Sequence, residues 1–320
     1  MDVPKRKRRS SAATRAGEDD VILPGLPFHL SELCLAGVPP RLLFSVCHPW
    51  RRLLYSPTFP APFSLYVFLS AGDPHTPSIE FFTLDPLSST WQALPPPPSD
   101  PPLHLIHRHP SFISRNLSIQ ALAVCNHLVL LAGTTQKFYP ALSQPLVFHP
   151  ETAQWFYGPA FHAPRRWCAA GALGNAVYLA SGYGVKYSPT VARSMERWKL
   201  TPKRKHWKWE GLTGLSDGRF SREAVEGVGW MGKLYMVNTK GSAVKEGLIY
   251  DPQSDSWQNM PEGMVAGWNG PAAAMDEEVL YVVDERRGAL REYNAEADCW
   301  VDLIELPELV HAEQIAAGRG

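Results

Sequence analysis

Most of the chain after residue 60 consists of short apolar segments separated by turns rich in glycine and proline. Five of these segments end in a small residue or a turn: SLYVFLSAG, HLVLLAG, AVYLASG, KLYMVNTKG and VLYVVDERRG. Four of the five follow a further apolar segment that ends in a tight turn: IQALAVCN, WCAAGALGN, AVEGVGWMG and GPAAAMDEE. Apolar runs of about four to eight residues bounded by turn residues are typical of β-strands. The pattern therefore predicts a fold made of many short strands.

A tryptophan follows each of the five segments at a fixed distance from a turn. In FFTLDPLSSTWQALP, Asp85 and Pro86 start the turn and Trp91 comes six residues after Asp85. The same spacing occurs in four other places: His149 to Trp155, Thr201 to Trp207, Asp251 to Trp257 and Asn294 to Trp300. The first side chain of such a turn accepts backbone N–H bonds, and proline fixes φ. The spacing identifies a repeat protein whose tryptophans are expected to fill the space between neighbouring units.

Each repeat unit has four predicted strands, a to d, and strand d carries the tryptophan. Residues 64–94 supply only strands b, c and d, whereas HAEQIAAGRG at residues 311–320 resembles a lone strand a. Such a chain can close a ring by completing one blade from both ends, which leaves only short protected sheet edges. We therefore expect a mainly β propeller over residues 61–320, closed by the C-terminal strand.

The repeat unit resembles the kelch repeat. The resemblance is carried by the apolar strand a, an LYV-like strand b that ends near glycine, and an aspartate-proline turn followed by tryptophan. It implies a kelch-type β-propeller. Five units can be counted, whereas six are common in that family, so the sequence leaves five and six blades open.

The segment at residues 21–60 has helical rather than alternating apolar spacing. Prolines at positions 27, 39 and 40 mark the starts of short helices. Roughly 40 residues are too few for a strong independent core, so surplus apolar surface here predicts a docking site for a partner. The alternative is a helical domain that only caps the propeller.

This segment resembles an F-box. The motifs are Leu26-Pro27, Val38-Pro39 and the ending LLFSVCHPWRRLLYSPTF, which matches the Val-Cys-x-x-Trp-Arg-x-Leu ending of that family. Together with the kelch-like region, the chain resembles the plant F-box/kelch-repeat proteins of the Skp-interacting group.

The resemblance implies the substrate-recognition subunit of a Skp-cullin-F-box type ubiquitin ligase. Residues 23–55 would bind a Skp-type adaptor, which bridges to a cullin and a RING subunit, while the propeller presents a substrate for ubiquitination. Val46 and Trp50 would pack inside the domain. The residues expected at the adaptor interface are Leu26, Pro27, Leu30, Val38, Pro39, Leu42 and Leu43.

Charge and composition narrow the classes of partner. The chain has 31 Lys and Arg residues against 31 Asp and Glu residues, and this zero net charge argues against a surface built for nucleic acid or anionic lipid. Its five cysteines are scattered without zinc-site spacing, which favours a reducing compartment. No apolar stretch reaches the roughly 20 residues of a membrane helix. We expect an intracellular protein of the nucleus or cytoplasm with no membrane partner.

Residues 1–20 form a basic segment without apolar periodicity, which predicts a disordered tail. A run of five cations lies in it, and such runs are read as nuclear-import signals; the alternative is a solvated tail without that role. The residues of the run are Lys5, Arg6, Lys7, Arg8 and Arg9.

Three short motifs are similar to catalytic or metal sites but lack the context that the chemistry requires. GVGWMG at residues 227–232 has the letters of a dinucleotide loop, yet a strand rather than a helix follows it. GLSDG at residues 214–218 lies in a predicted loop, whereas a nucleophile elbow needs a strand-to-helix turn. The histidines of LHLIHRHP have no nearby ligand partners. The sequence predicts a non-enzyme without catalytic residue, metal or cofactor, and a propeller enzyme is the least favoured of three hypotheses.

One face of the propeller carries long predicted loops. In an a-b-c-d meander the b–c and d–a connections lie on the same face, which we call the loop face. Loops on a rigid scaffold are where binding usually resides, and cations with tyrosines favour an acidic or phosphorylated protein substrate. The alternative is that these loops are merely solvated. The predicted substrate-binding residues are Arg115, Lys137, Tyr139, Tyr183, Lys186, Tyr187, Arg193, Arg219 and Arg222.

Overall fold

The computed structural model describes residues 22–38, 40–54, 56, 59, 64–71, 78–86, 89–98, 119–133, 139–140, 142–222, 224–240, 244–310 and 312–318. These residues belong to two compact units, one up to residue 62 and one from residue 63 to residue 319. We refer to them as the helical unit and the propeller, and each is described by itself.

The helical unit contains three helices: α1 (Phe28–Ala36), α2 (Pro40–Val46) and α3 (His48–Leu54). Pro27 directly precedes α1, and its carbonyl accepts the first hydrogen bonds of the helix, because proline is suited to a helix start. A small core holds the helices together, and the indole of Trp50 donates to the carbonyl of Ile22 at 3.0 Å. The buried apolar residues of this core are Ile22, Leu35, Leu43, Leu53 and Phe59. The prediction of short helices is confirmed.

The propeller contains nineteen strands among its described residues. Their bounds are β1 (Leu65–Ala71), β2 (Ser78–Asp85), β3 (Thr90–Ala93), β4 (Gln120–Val124), β5 (His127–Ala132), β6 (Leu146–His149), β7 (Gln154–Tyr157), β8 (Ala169–Leu173), β9 (Ala176–Ala180), β10 (Met195–Lys199), β11 (Trp209–Leu212), β12 (Ala224–Trp230), β13 (Lys233–Lys240), β14 (Gly247–Asp251), β15 (Ser256–Asn259), β16 (Ala272–Met275), β17 (Val279–Asp284), β18 (Ala289–Asn294) and β19 (Cys299–Glu305). Two short helices, α4 (Pro189–Arg193) and α5 (Glu262–Gly267), lie in the connections. Three 3₁₀ helices span Arg204–His206, Arg219–Arg222 and Pro307–Leu309.

The strands form five antiparallel sheets in which sequence neighbours pair with one another. Four sheets have four strands each, β4–β7, β8–β11, β12–β15 and β16–β19, and one has three, β1–β3. The first strands of neighbouring four-stranded sheets lie against one another, β4 against β8, β8 against β12, and β12 against β16. This arrangement is a five-bladed kelch-type β-propeller, as predicted, and it answers the choice between five and six blades.

The first blade has the predicted three strands, with Val67 opposite Phe82 and Leu84 opposite Trp91. The C-terminal segment differs from the prediction, because residues 312–318 form no strand. After the 3₁₀ helix Pro307–Leu309, the N–H of Ala312 donates a hydrogen bond to the carbonyl of Leu309. The side chain of Gln314 donates to the carbonyl of Ile119 at the start of the second blade, at 3.1 Å. The tail is therefore held by these bonds rather than by a β-ladder.

The tryptophans of the outer strands join each blade to the one before it. The indole N–H donates to a backbone carbonyl just beyond the outer strand of the preceding blade, at 2.7–3.0 Å. The four bonds are Trp155 to Pro95, Trp209 to Pro159, Trp257 to Thr213, and Trp300 to Met264. The expected role of tryptophan between blades is thus confirmed in the second to fifth blades, whereas Trp91 of the first blade is 56% exposed and donates to none of the described residues.

In the third blade, Trp209 has this role, and the assignment of Trp207 was wrong. Trp207 donates instead to the carbonyl of Thr201 within its own turn, at 2.8 Å, and its ring packs on Trp198. The 3₁₀ helix Arg204–His206 lengthens the turn, so the strand begins at Trp209 rather than near Trp207.

Two aspartates in the turns before the outer strands also join blades. Asp298 has a positive φ of 46°, a conformation that aspartate tolerates better than most residues. It accepts hydrogen bonds from the hydroxyl of Tyr293 and from the N–H of Gly263 in the preceding blade, at 2.6 and 2.8 Å. The hydrogen bond from Tyr293 has the largest effect on the pKa of Asp298. Together with the backbone bond from Gly263, it lowers this pKa because it stabilises the charged carboxylate. Asp255 repeats the arrangement with Tyr250 and Thr213.

Candidate functional site

Six large apolar side chains among the described residues of the helical unit are exposed. In α1, Ser31, Glu32 and Leu35 are buried, whereas Leu33 is 67% exposed. The exposed set contains three predicted adaptor residues, Leu26, Leu30 and Leu42, and it also contains Phe28, Leu33 and Val46. We call these six side chains the apolar surface of the helical unit. Large apolar side chains gathered on so small a unit mark an interaction site.

Two predicted roles in the helical unit are wrong. Leu43, predicted to contact the adaptor, is 0% exposed and lies in the core of the unit. Val46, predicted to lie inside, is 56% exposed. Val46 follows Leu42 by four residues in α2, so these two side chains lie on the same face of the helix and are exposed together, while Leu43 packs into the core.

The other predicted residues of the helical unit have mixed outcomes. Pro27 is exposed before α1, and Val38 is half-buried against the core. Trp50 packs against the same core, as predicted. Pro39 lies outside the described residues, as do the five basic residues of the tail.

The predicted substrate residues of the third blade lie together on the loop face. Tyr183, Lys186, Tyr187 and Arg193 all belong to the connection between β9 and β10, and Tyr183 and Tyr187 have ring centroids 6.2 Å apart. Tyr139, in the corresponding connection of the second blade, is exposed. Arg115 and Lys137 lie outside the described residues, and Arg222 is placed only as the end of the 3₁₀ helix Arg219–Arg222.

Arg219 already has partners within the protein. Its guanidinium forms ion pairs with Asp217 at 2.9 Å and with Glu246 at 2.5 Å. The hydrogen bond to Asp217 raises the pKa of Arg219, because it stabilises the charged guanidinium. Arg219 therefore has two carboxylate partners within the protein, and its role in substrate binding stays a prediction.

Arg166 lies at the centre of an aromatic cluster that sequence reasoning missed. Its guanidinium carbon is 4.3 Å from the ring centroid of Trp167 and 4.9 Å from that of Tyr183, distances typical of cation–π contacts. Its backbone exchanges two hydrogen bonds with Tyr183, at 2.9 and 2.8 Å. Gly182 permits this approach, because its φ is 111° and a Cβ there would meet the carbonyl oxygen of Arg166 at 3.0 Å.

The neighbouring Arg165 has a different environment. Its Nη2 atom binds Glu196 Oε1 at 2.9 Å, and both side chains are buried. Nη1 donates to the carbonyl of Ser181 at 3.2 Å and to the hydroxyl of Ser194, and Nε donates to the carbonyl of Ala163 at 3.2 Å. Arg165 thus fixes the d–a connection to the b–c connection beneath the loop face.

An open cleft of about 560 Å³ lies beside this ion pair. The ring of His162 approaches Glu196 there, with Nδ1 3.3 Å from Oε1. Arg193, a predicted substrate residue, also lines the cleft. The loop face of the third blade therefore carries a recess together with the exposed side chains of Lys186, Tyr187 and Arg193.

Comparison with known proteins assigns the family. No protein-family model matches the chain. It is 49% identical over 330 residues to the F-box/kelch-repeat protein SKIP25 of Arabidopsis thaliana, covering 99% of this chain and 83% of that protein. The chain belongs to the F-box/kelch-repeat family. The F-box protein AFR of the same plant is 24% identical, with 82% of this chain and 68% of that protein covered.

In this F-box/kelch-repeat protein, two of the motifs that are similar to catalytic sites lie in ordinary elements of the propeller. The glycines of GVGWMG belong to β12 and the tight turn that leads into β13, so a strand follows them as predicted. Ser216 lies in the connection between β11 and β12. The histidines of LHLIHRHP lie outside the described residues, and within the described part no cluster of three or more metal-ligating side chains occurs. None of the described helices is long and apolar enough to cross a membrane.

Proposed function

We propose that this F-box/kelch-repeat protein is the substrate-recognition subunit of a Skp-cullin-F-box type ubiquitin ligase. The helical unit docks a Skp-type adaptor, and the loop face of the propeller binds the protein to be ubiquitinated. The adaptor connects the chain to a cullin and a RING subunit, and the transfer of ubiquitin takes place on those other subunits.

The apolar surface of the helical unit is the observation that carries this proposal. The helical unit has a core of its own, in which Leu43 and Leu53 are buried. Phe28, Leu30 and Leu33 are exposed and do not belong to this core. Complete burial of a fully exposed side chain of this kind is worth roughly 1.5–3 kcal/mol, and these partly exposed side chains gain a corresponding share of it. A partner that covers these side chains gains binding free energy. The side chains lie in the segment whose motifs resemble an F-box, so a Skp-type adaptor is the partner that we propose.

Deletion of residues 1–60 tests the proposal. The truncated protein should lose co-purification with a Skp-type adaptor, because the apolar surface is removed, while the propeller stays soluble and keeps its β-sheet circular dichroism. The full-length chain is the positive control. If the truncated protein binds the adaptor with undiminished affinity, the helices are a cap on a kelch scaffold and the proposal is wrong.

A further inference from the structure

We propose that Arg166 binds a single carboxylate of the protein substrate, an Asp or Glu side chain that enters the aromatic cluster on the loop face. The cluster consists of Tyr139, Arg166, Trp167, Tyr183 and Tyr187. This inference rests on the proposed function in one respect, because it takes the occupant to be a segment of the substrate.

The charge of Arg166 has no counter-ion among the residues that the structure describes. The residue is 6% exposed, and its Nε and Nη1 atoms are covered yet donate no hydrogen bond to any described group. No described carboxylate forms an ion pair with it, whereas the adjacent Arg165 has Glu196 and three further acceptors. A buried charge without a partner is costly, so proteins rarely keep one without a use.

The amount of charge favours a carboxylate over a phosphate. Arg166 offers one positive charge that no described carboxylate compensates, and the nearby Arg165 is neutralised by Glu196. A monoanion balances one charge, whereas a phosphate group carries about two negative charges and needs a second cation. A guanidinium also matches the two oxygens of a carboxylate in a planar fork.

The rings around Arg166 are arranged to enclose such an ion pair. Trp167 has a positive φ of 54°, an unfavourable backbone conformation for a bulky residue and one that is often found at functional sites. Tyr139 and Tyr187 are exposed at the edge of the cluster. Aromatic side chains that exclude water around a charged pair are typical of the energetic centre of an interface.

The covered position of the guanidinium restricts what can reach it. Because Nε and Nη1 are both shielded, a carboxylate can reach them only when a neighbouring ring rotates away. A single extended side chain can enter in this way, whereas a flat protein surface cannot. Tyr183 and Tyr187 lie on the long connection between β9 and β10, where such a movement would take place. The expected ligand is therefore a short acidic peptide segment.

Selection from a displayed library of random dodecapeptides on immobilised full-length protein tests this inference. Peptides selected by the wild type should be enriched in Asp or Glu at one position, and those selected by Arg166→Gln should not. Arg204→Gln should keep the enrichment, because Arg204 also packs on an aromatic ring but is exposed in the turn between β10 and β11, on the opposite face. In the best synthetic peptide, replacing the acidic residue by its amide should weaken binding by about tenfold or more.

A stability measurement separates a binding role from a structural one. Arg166→Met removes an uncompensated buried charge, so its melting temperature should equal or exceed that of the wild type. A lower melting temperature, selection of phosphopeptides over carboxylate peptides, or acidic enrichment that survives Arg166→Gln would each overturn the inference. Adaptor co-purification of the same variants is independent of these results, so failure of the inference can be told from failure of the proposed function.

Discussion

The Trp300→Ala variant is expected to lose about 3–5 kcal/mol of its free energy of unfolding. The indole of Trp300 is buried between the fourth and fifth blades, with its ring centroid 5.1 Å from Tyr293 and 5.9 Å from Trp268. Its N–H also donates to Met264 in the connection between these blades at 3.0 Å. Alanine would leave a cavity and an unsatisfied carbonyl, and urea unfolding followed by circular dichroism measures the loss.

Trp91 provides a matched control in the same repeat position. It is 56% exposed, its indole donates to none of the described residues, and Phe82 is its ring neighbour at 6.4 Å. Trp91→Ala should therefore cost about 1 kcal/mol or less. Equal losses from the two variants would show that the bonds between blades do not determine stability.

The Arg165→Met variant is expected to lose about 3–5 kcal/mol, because it leaves Glu196 buried without its charged partner. The double variant Arg165→Met/Glu196→Leu should recover most of the loss, since neither charge remains to be desolvated. Chemical denaturation of the single and double variants gives the coupling free energy directly.

Arg219 supplies the exposed counterpart of this ion pair. Its guanidinium meets Asp217 and Glu246 at a solvent-exposed site, where ion pairs contribute about 0–1 kcal/mol. Arg219→Met should thus change stability little. If Arg165→Met lowered the free energy of unfolding as little as Arg219→Met, the buried ion pair would not hold the two connections of the loop face together.

The repeat could be predicted because its signal is local. A turn residue, a tryptophan six positions later and an apolar strand before them recur along the chain, and each follows from backbone geometry within one blade. Whether Trp207 or Trp209 lies between the blades could not be read from such a local pattern. It depends on the 3₁₀ helix Arg204–His206 and on the carbonyl of Pro159, which lies about 50 residues away in sequence.

The helices before the propeller were also predictable, but not which residues of α2 face inward. Leu42, Leu43 and Val46 are all apolar, and only their packing against the rest of the unit separates them. Prediction failed for Leu43 and Val46 because a seven-residue helix is too short for periodicity to fix its buried face.

The arginine pair shows the limit of sequence reasoning most clearly. Arg165 and Arg166 are adjacent and chemically identical, yet one meets Glu196 and the other meets the rings of Trp167 and Tyr183. Glu196 and Tyr183 come from the strand and the connection that follow β9, so only the folded structure reveals which charge is compensated. The sequence could place Tyr139, Tyr183 and Tyr187 in long connections of the loop face, whereas it gave no sign of the arginine packed near them.

The affinity of the full-length protein for a Skp-type adaptor tests the central claim most directly, measured by calorimetry for two variants. Leu33→Asp places a charge in the apolar surface of the helical unit, and Leu303→Asp makes the same change at a 49% exposed leucine of β19 in the propeller. Leu33→Asp should weaken adaptor binding by about tenfold or more, because burying an unpaired carboxylate is costly, and Leu303→Asp should leave it unchanged. Adaptor binding that survives Leu33→Asp undiminished, or that Leu303→Asp weakens equally, would contradict the account.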